Sequence, residues 1–342
     1  MRRTWALIAF LLLLLGCQIS PRRTIGGNNG GGGGGGGTGG QLYVTTPSSI
    51  LRFSNAESSN GNIAPVATIS GASTLLSAPQ RLFADTANDR LYVANQGGAS
   101  ILIFDHASTL TGNVSPTRSI SGSATLLTSP LDVALDTVNN LLYVANGTSI
   151  LVFSPASTIN GNVPPVHNIN LGVSAGGLFL DAANNQLYFS DPGDNAVDRL
   201  DSASSQDVVG IVGGAISGPD TQLSQPRGLE LDASGRLIVS NSATPASITL
   251  YPNAGTTATG DVLPVIAISG SNTHLQSPAQ IALNRNVGNG ELYVLDPVAA
   301  SVFVFTNVST NGGNEAPART INGSNTGLTA SAINGMAIDP TR

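Results

Sequence analysis

The chain has 342 residues, 10% of them charged, 41% hydrophobic and 41 of them glycine, with a formal net charge of −6. That length suits one large repeat domain or two ordinary ones. Beyond Arg22-Arg23 there is no basic cluster, so nucleic acid is not an expected partner. Cys17 is the sole cysteine, which excludes intrachain disulfides and a thiol nucleophile in the remainder of the chain.

Residues 1–17 read as a leader. Arg2-Arg3 form its positive region and Trp5–Leu15 its apolar core. The core is too short for a stable spanning helix, which needs about 20 residues. It ends in Leu14-Leu15-Gly16-Cys17, which resembles the lipobox of bacterial lipoproteins, whose cysteine is acylated and becomes the mature N-terminus. The resemblance implies lipidation at Cys17 and a membrane as partner through that anchor. Gln18 stands where an aspartate would resemble an inner-membrane retention signal, so the outer membrane is the expected address. Loss of Arg2 and Arg3 with the leader makes the chain two units more negative. Residues 18–40 include the run Gly30–Gly37 and read as a Gly-rich flexible tether, with an r.m.s. reach of roughly 25–30 Å.

From Gln41 to Arg342 three columns of sequence recur six times. The first comprises Leu82-Phe-Ala-Asp85, Val133-Ala-Leu-Asp136, Leu178-Phe-Leu-Asp181, Leu229-Glu-Leu-Asp232, Ile281-Ala-Leu-Asn284 and Met336-Ala-Ile-Asp339. The second carries five of the six tyrosines at one position: Tyr43, Tyr92, Tyr143, Tyr188 and Tyr293. The third is typified by Ser100-Ile-Leu-Ile-Phe104 and departs most at Ala196-Val-Asp-Arg-Leu200. A repeat of about fifty residues is a statement about fold. Short apolar or β-branched runs punctuated by Asp, Asn, Gly and Pro argue for strands joined by turns. The aspartates that close the first column read as turn residues.

A further signature follows the third column: Gly61-Asn-Ile-Ala-Pro65, Gly112-Asn-Val-Ser-Pro116, Gly161-Asn-Val-Pro-Pro165, Gly260-Asp-Val-Leu-Pro264 and Gly313-Asn-Glu-Ala-Pro317. It introduces a fourth strand, and its proline suits a sheet edge. The repeat at Asp201–Gly213 lacks it. Four antiparallel strands in each of six repeats predict an all-β, six-bladed β-propeller. The chain begins on a second strand and ends on a first, so the ring is expected to close by pairing the N- and C-terminal strands.

Pro-x-x-Leu/Val-x-x-Asp, then Leu-Tyr-Val-Ala-Asn, then Ser-Ile-x-Val-Phe resembles the NHL and YVTN types of bacterial propeller repeat. Such propellers serve as lyases, lactonases, scaffolds and binding modules, so the resemblance bears on fold more than on function. Within this architecture the ends of the second strands and the starts of the first share one face. Asn95, Asn146, Asp191, Asn241 and Asp296 are expected there as a polar binding ring, together with Arg81 and Arg227. Glu230 breaks a column of Phe83, Ala134, Phe179, Ala282 and Ala337, with Arg81 and Arg227 as its expected cationic partners. Glu230 and Asp132 are the candidate catalytic groups if any catalysis occurs. His106, His167 and His274 fall in unrelated parts of the repeat, so no metal site or cofactor is expected. The leading expectation is a lipid-anchored, monomeric binding module in the cell envelope, for an unknown protein or polar ligand. The alternative is a lactonase- or lyase-type enzyme at the channel mouth.

Overall fold

The computed structural model describes residues 39–205, 213–252, 259–287 and 290–342. The leader, Cys17 and the tether as far as residue 38 lie outside the described residues. Twenty-four strands form six four-stranded sheets. Blade 1 contains β1 (Gln41–Thr46), β2 (Ser49–Ser54) and β3 (Ala67–Ser70). Blade 2 runs β4 (Pro79–Asp85), β5 (Arg90–Asn95), β6 (Ser100–Asp105) and β7 (Arg118–Ser121). Blade 3 runs β8 (Pro130–Asp136), β9 (Leu141–Asn146), β10 (Ser149–Phe153) and β11 (His167–Asn170). Blade 4 runs β12 (Gly177–Asp181), β13 (Gln186–Asp191), β14 (Ala196–Asp201) and β15 (Ala215–Ile216). Blade 5 runs β16 (Pro226–Leu231), β17 (Leu237–Asn241), β18 (Ser247–Tyr251) and β19 (Ile266–Ser269). Blade 6 runs β20 (Ile281–Asn284), β21 (Glu291–Asp296), β22 (Ser301–Thr306) and β23 (Arg319–Ile321). The last strand, β24 (Met336–Asp339), is the innermost strand of blade 1.

This arrangement is the six-bladed propeller expected from the repeats, closed as expected. β24 pairs antiparallel with β1 from Gln41↔Asp339 to Val44↔Met336. Each first strand is packed beside the first strands of its two neighbours, β24 lying against β4 and β20. The helical content among the described residues is confined to short 3-10 turns.

The period-2 alternation of each strand decides which seam a side chain fills. Leu42 and Val44 pack with Tyr293, Val302 and Val304 of blade 6, whereas Tyr43 between them packs with Leu82, Leu91 and Val93 of blade 2. The other blades repeat this scheme, which gives six apolar clusters in six seams. Both faces of every sheet are therefore covered. Burying one such Leu, Val or Phe contributes about 1.5–3 kcal/mol. The tyrosine column is buried throughout.

The aspartates that end the first column make turns. The Asp85 carboxylate accepts from Asn88 N–H at 3.2 Å and from its side-chain amide at 2.8 Å. Asp136 and Asp181 hold Asn139 and Asn184 in the same way. The Gly-Asn signature has a role beyond introducing an edge strand. Gly112 forms a parallel bridge with Ile69 of the preceding blade, and Asn113 Oδ1 accepts from Ser73 N–H at 2.7 Å. The Asn113 side chain lies against Gly71, whose φ is 118°, and a Cβ on that glycine would come within 2.5 Å of it. Asn62, Asn162, Asp261 and Asn314 make the equivalent clasp to Asn325, Ala124, Asp220 and Asn272. Five seams are thus clasped at the rim. The seam between blades 3 and 4 corresponds to the repeat that lacks the signature.

The carbonyls of Gly39 and Gly40 accept from Glu57 and Ala56 N–H. Removing 332–342 strips β1 of its inner partner and opens two seams, whereas removing 26–37 touches none of these contacts. The first truncation is expected to lower the thermal unfolding midpoint by about 10 °C or to abolish cooperative folding. The second should leave it unchanged, and equal midpoints would contradict closure by the termini.

Candidate functional site

First strands start, and second strands end, on one face of the ring, termed the upper face. Asn95, Asn146, Asp191, Asn241 and Asp296 all sit on that face, but their side chains are buried. Asn95 Oδ1 accepts from Ser77 N–H at 2.7 Å while its amide donates to Leu75 O and Ser100 Oγ. Asn146 accepts from Thr128 and Ser129 N–H and donates to Leu126 O. Asn241 binds Ser224 N–H, Ser247 Oγ and Thr249 Oγ1. Asp296 takes four backbone N–H groups, from Gln276, Ser277, Val298 and Ala299. These groups satisfy the backbone of the loops entering the next strand, where unmade bonds would be costly. The expected polar ring is therefore an inward-facing ring of loop supports. Asp191 departs from it: among the described residues only Gly193 and Asp194 donate to it.

Arg81 and Asp132 occupy one level of the first column, the others there being Gly177, Gly228, Gln280 and Gly335. Beside this level the pairing register shifts in blades 2, 3 and 5, and a bulge of this kind can re-aim a side chain. Arg81 Nη1 donates to Asp132 Oδ2 at 3.0 Å and to the Arg227 carbonyl at 3.3 Å. Blades 2 and 5 are opposite one another in a ring of six, so Arg81 crosses the bore. A Cβ on Gly177 would come within 2.0 Å of its guanidinium. Asp132 also accepts from Leu178 and Val133 N–H at 2.9 and 2.8 Å. Burial pushes the Asp132 carboxyl up, and Arg81 with the two backbone N–H groups pulls against that shift. With Arg81 4% and Asp132 3% exposed, the pair is a plug across the bore, Asp132 forming part of the wall of the cavity beneath it.

Below the plug the bore widens into a cavity of about 300 Å³ lined by Leu82, Phe83, Ala134, Phe179, Ile281 and Glu230, among others. It continues toward the lower face as a space of about 230 Å³ beside Ala337 and Pro340. Glu230 does not pair with Arg81 or Arg227, which lie at the other end of the bore. Its partner is Arg285, whose Nη2 donates to Glu230 Oε2 at 2.8 Å and also to Leu231 O. Burial dominates and raises the Glu230 carboxyl to about 7, against the opposing pull of Arg285. Arg285 was not singled out from the sequence, yet a signal existed. It follows the turn residue of the first column, where the other repeats carry Thr86, Thr137, Ala182, Ala233 and Pro340. Its guanidinium is partly exposed, so the ion pair stands at the lower mouth.

No known family profile matches the chain, and no curated protein matches it. Solved structures share its fold. A chain of a nidogen–laminin complex is similar over 88% of this chain and 98% of its own, with a TM-score of 0.60 and 16% identity. A Bacteroides caccae protein of unknown function matches over 87% and 98%, with a TM-score of 0.58 and 9% identity. A suspected 6-phosphogluconolactonase of Bacteroides uniformis matches over 87% and 84%, with a TM-score of 0.57 and 13% identity. At such identities the likeness is one of fold.

The plug gives a direct test. Asp132→Ala leaves the Arg81 charge buried without its partner, and is expected to cost about 3–5 kcal/mol in urea unfolding. The double variant Arg81→Met/Asp132→Leu should lose less than Asp132→Ala alone. A larger loss in the double variant would show that the pair itself, rather than the orphaned charge, sets the cost.

Proposed function

We propose that the protein is an exported, lipid-anchored binding module that takes a small ligand in the axial pocket through the lower mouth. The observation that carries this reading is the blind bore. The Arg81–Asp132 pair closes it above, and the wall of the cavity below is built of Leu, Val, Ile, Phe and Ala side chains with Asp132, Gln280, Glu230 and Arg285 as its polar groups, the last two at its opening. A concave apolar site with few, convergent polar groups is the usual form of a small-molecule site. The upper-face amides, by contrast, are occupied with loop backbone. The leader, Cys17 and the glycine-rich segment support anchoring in the envelope, at the outer membrane where the cell has one. The resemblance of the repeats to NHL and YVTN types supports a scaffold used for binding. The expected working form is a monomer, with no nucleic-acid partner.

A second reading has one observation in its favour. A carboxyl raised to about 7 beside a guanidinium in a pocket is suited to general acid–base work. The suspected lactonase among the similar structures gives that reading a reaction class, ring opening of a lactone.

Two measurements address these proposals. Cys17→Ser should move the protein from the membrane to the soluble fraction, since stable anchoring needs the acyl chains; unchanged membrane partitioning would refute the anchor. Second, a panel of sugars, lactones and their hydroxy acids is screened by thermal shift, with product analysis on the same samples. The expected result is stabilisation by a subset of ligands, lost in Glu230→Gln and Arg285→Ala, with no product formed. Product formation that Glu230→Gln abolishes would replace the binder with the lactonase. No shift and no product across the panel would refute the pocket.

A further inference from the structure

A cleft of about 400 Å³ opens on the upper face, beside the seam of blades 3 and 4. Leu131, Val173, Ala175 and Pro192 give it apolar walls, while Asp191, Asp194 and Arg227 supply its charges. It is separate from the axial pocket and does not rest on the reading given for that pocket.

Asp191 ends β13 and begins a tight turn in which its Oδ1 accepts from Gly193 N–H at 2.9 Å and Asp194 N–H at 3.3 Å. In blade 6 the matching Asp296 uses its second oxygen on Gln276 and Ser277 N–H. No described residue does this for Asp191. Behind it stands Asp198 on β14. In blade 5 the same two positions hold Asn241 and Thr249, and the amide donates to the hydroxyl at 3.0 Å. In blade 4 both positions are carboxylates, and two ionised carboxylates have no proton to share. Asp198 is 2% exposed, and its Oδ2 has no hydrogen-bond partner among the described residues. A buried, unpartnered carboxylate oxygen is costly. Burial raises Asp198 to about 7, with Asp191 and Asp194 adding repulsion. Asp191 and Asp194 thus line one end of the cleft, with the buried Asp198 close enough to repel them.

Arg227 lines the cleft from the axial side. Its Nε donates to Ser242 Oγ at 3.0 Å, and its two terminal nitrogens make no bond to described residues. Burial and the Arg81 charge depress its pKa. Asp191 and Asp194 reach the cleft from the end of β13 in blade 4, whereas Arg227 reaches it from β16 in blade 5, so acid and base line it from different blades. Ionised carboxylates offer only acceptor oxygens, so the acidic end suits a hydrogen-bond-donating cation.

We propose that this cleft binds a small zwitterion, its ammonium group held by Asp191 and Asp194 above Asp198 and its carboxylate held by Arg227. The ammonium donates to the Asp191 oxygen left free by the turn and to Asp194. The guanidinium edge donates to the carboxylate, for which its planar fork is suited. The apolar walls take the methylene groups between the two charged ends.

The test is isothermal titration of the full chain in detergent with 4-aminobutanoate and 6-aminohexanoate, with hexylamine and hexanoate as single-charge probes. At least one zwitterion is expected to bind about tenfold or more tighter than either single-charge probe, a difference of about 1.4 kcal/mol. Asp194→Asn lies on an exposed turn and Arg227→Gln keeps a donor, so both variants should fold, and each should weaken that binding by about tenfold. The absence of heat with both zwitterions would overturn the proposal. So would equal binding of hexylamine or hexanoate, or parental affinity in both variants.

Discussion

No blade of this ring can stand alone. Each sheet is apolar on both faces, so each needs a neighbour on either side, and only a closed circle supplies two neighbours to all six. The pairing of β24 with β1 makes that circle from a linear chain. It also removes the two inner edges that an open array would present to other chains. Hydrophobic burial drives the packing of the seams, but it is non-directional and would tolerate sliding. The Gly-Asn clasps supply direction. Each fixes one blade to the outer strand of the one before it by a backbone bridge and a side-chain-to-backbone bond.

Much of this was legible because repetition writes the same physical requirement many times. The short apolar runs around Tyr43, Tyr92 and Tyr143 announce strands, and the aspartate column announces turns. The permuted termini announce closure. The function of the Gly-Asn signature was not legible, because its partner lies in the preceding repeat about forty residues earlier. A sequence column shows that a residue recurs, and the contact that makes it recur is visible only in space.

The polar ring illustrates the converse problem. Asn95, Asn146 and Asn241 lie on one mouth of the ring, which invites a reading as a recognition surface. Their near-identity across repeats has a different cause. Every blade must satisfy the same loop backbone at the same corner, and an amide that both accepts and donates does so with one side chain. Symmetry in a propeller therefore records the demands of the scaffold. Arg81 was expected in the binding ring and Asp132 as a candidate catalytic group, but their mutual pairing depended on knowing that Arg81 crosses the bore toward the opposite blade.

If symmetry belongs to the scaffold, the residues that break it are the ones free to serve something else. They are not scattered. Glu230 and Arg285 meet at the lower mouth although one is on a strand and the other in a turn of the next blade. Asp198 replaces a position held elsewhere by Leu51, Leu102, Leu151, Thr249 and Phe303, and it stands behind Asp191, whose second carboxylate oxygen takes no bond from a described residue. Both departures place a carboxylate where burial penalises its charge, a cost that a fold-maintaining substitution would have no reason to carry. The second falls in the repeat that also lacks the clasp signature, at the seam where the upper-face cleft opens. Blade 5 has a hydroxyl at the Asp198 position and blade 6 keeps an aspartate, Asp296, at the Asp191 position, so what sets blade 4 apart is that both positions are carboxylates. That pairing falls in the repeat whose sequence lacks the Gly-Asn signature, which indicates that this blade answers to a constraint the other five do not share.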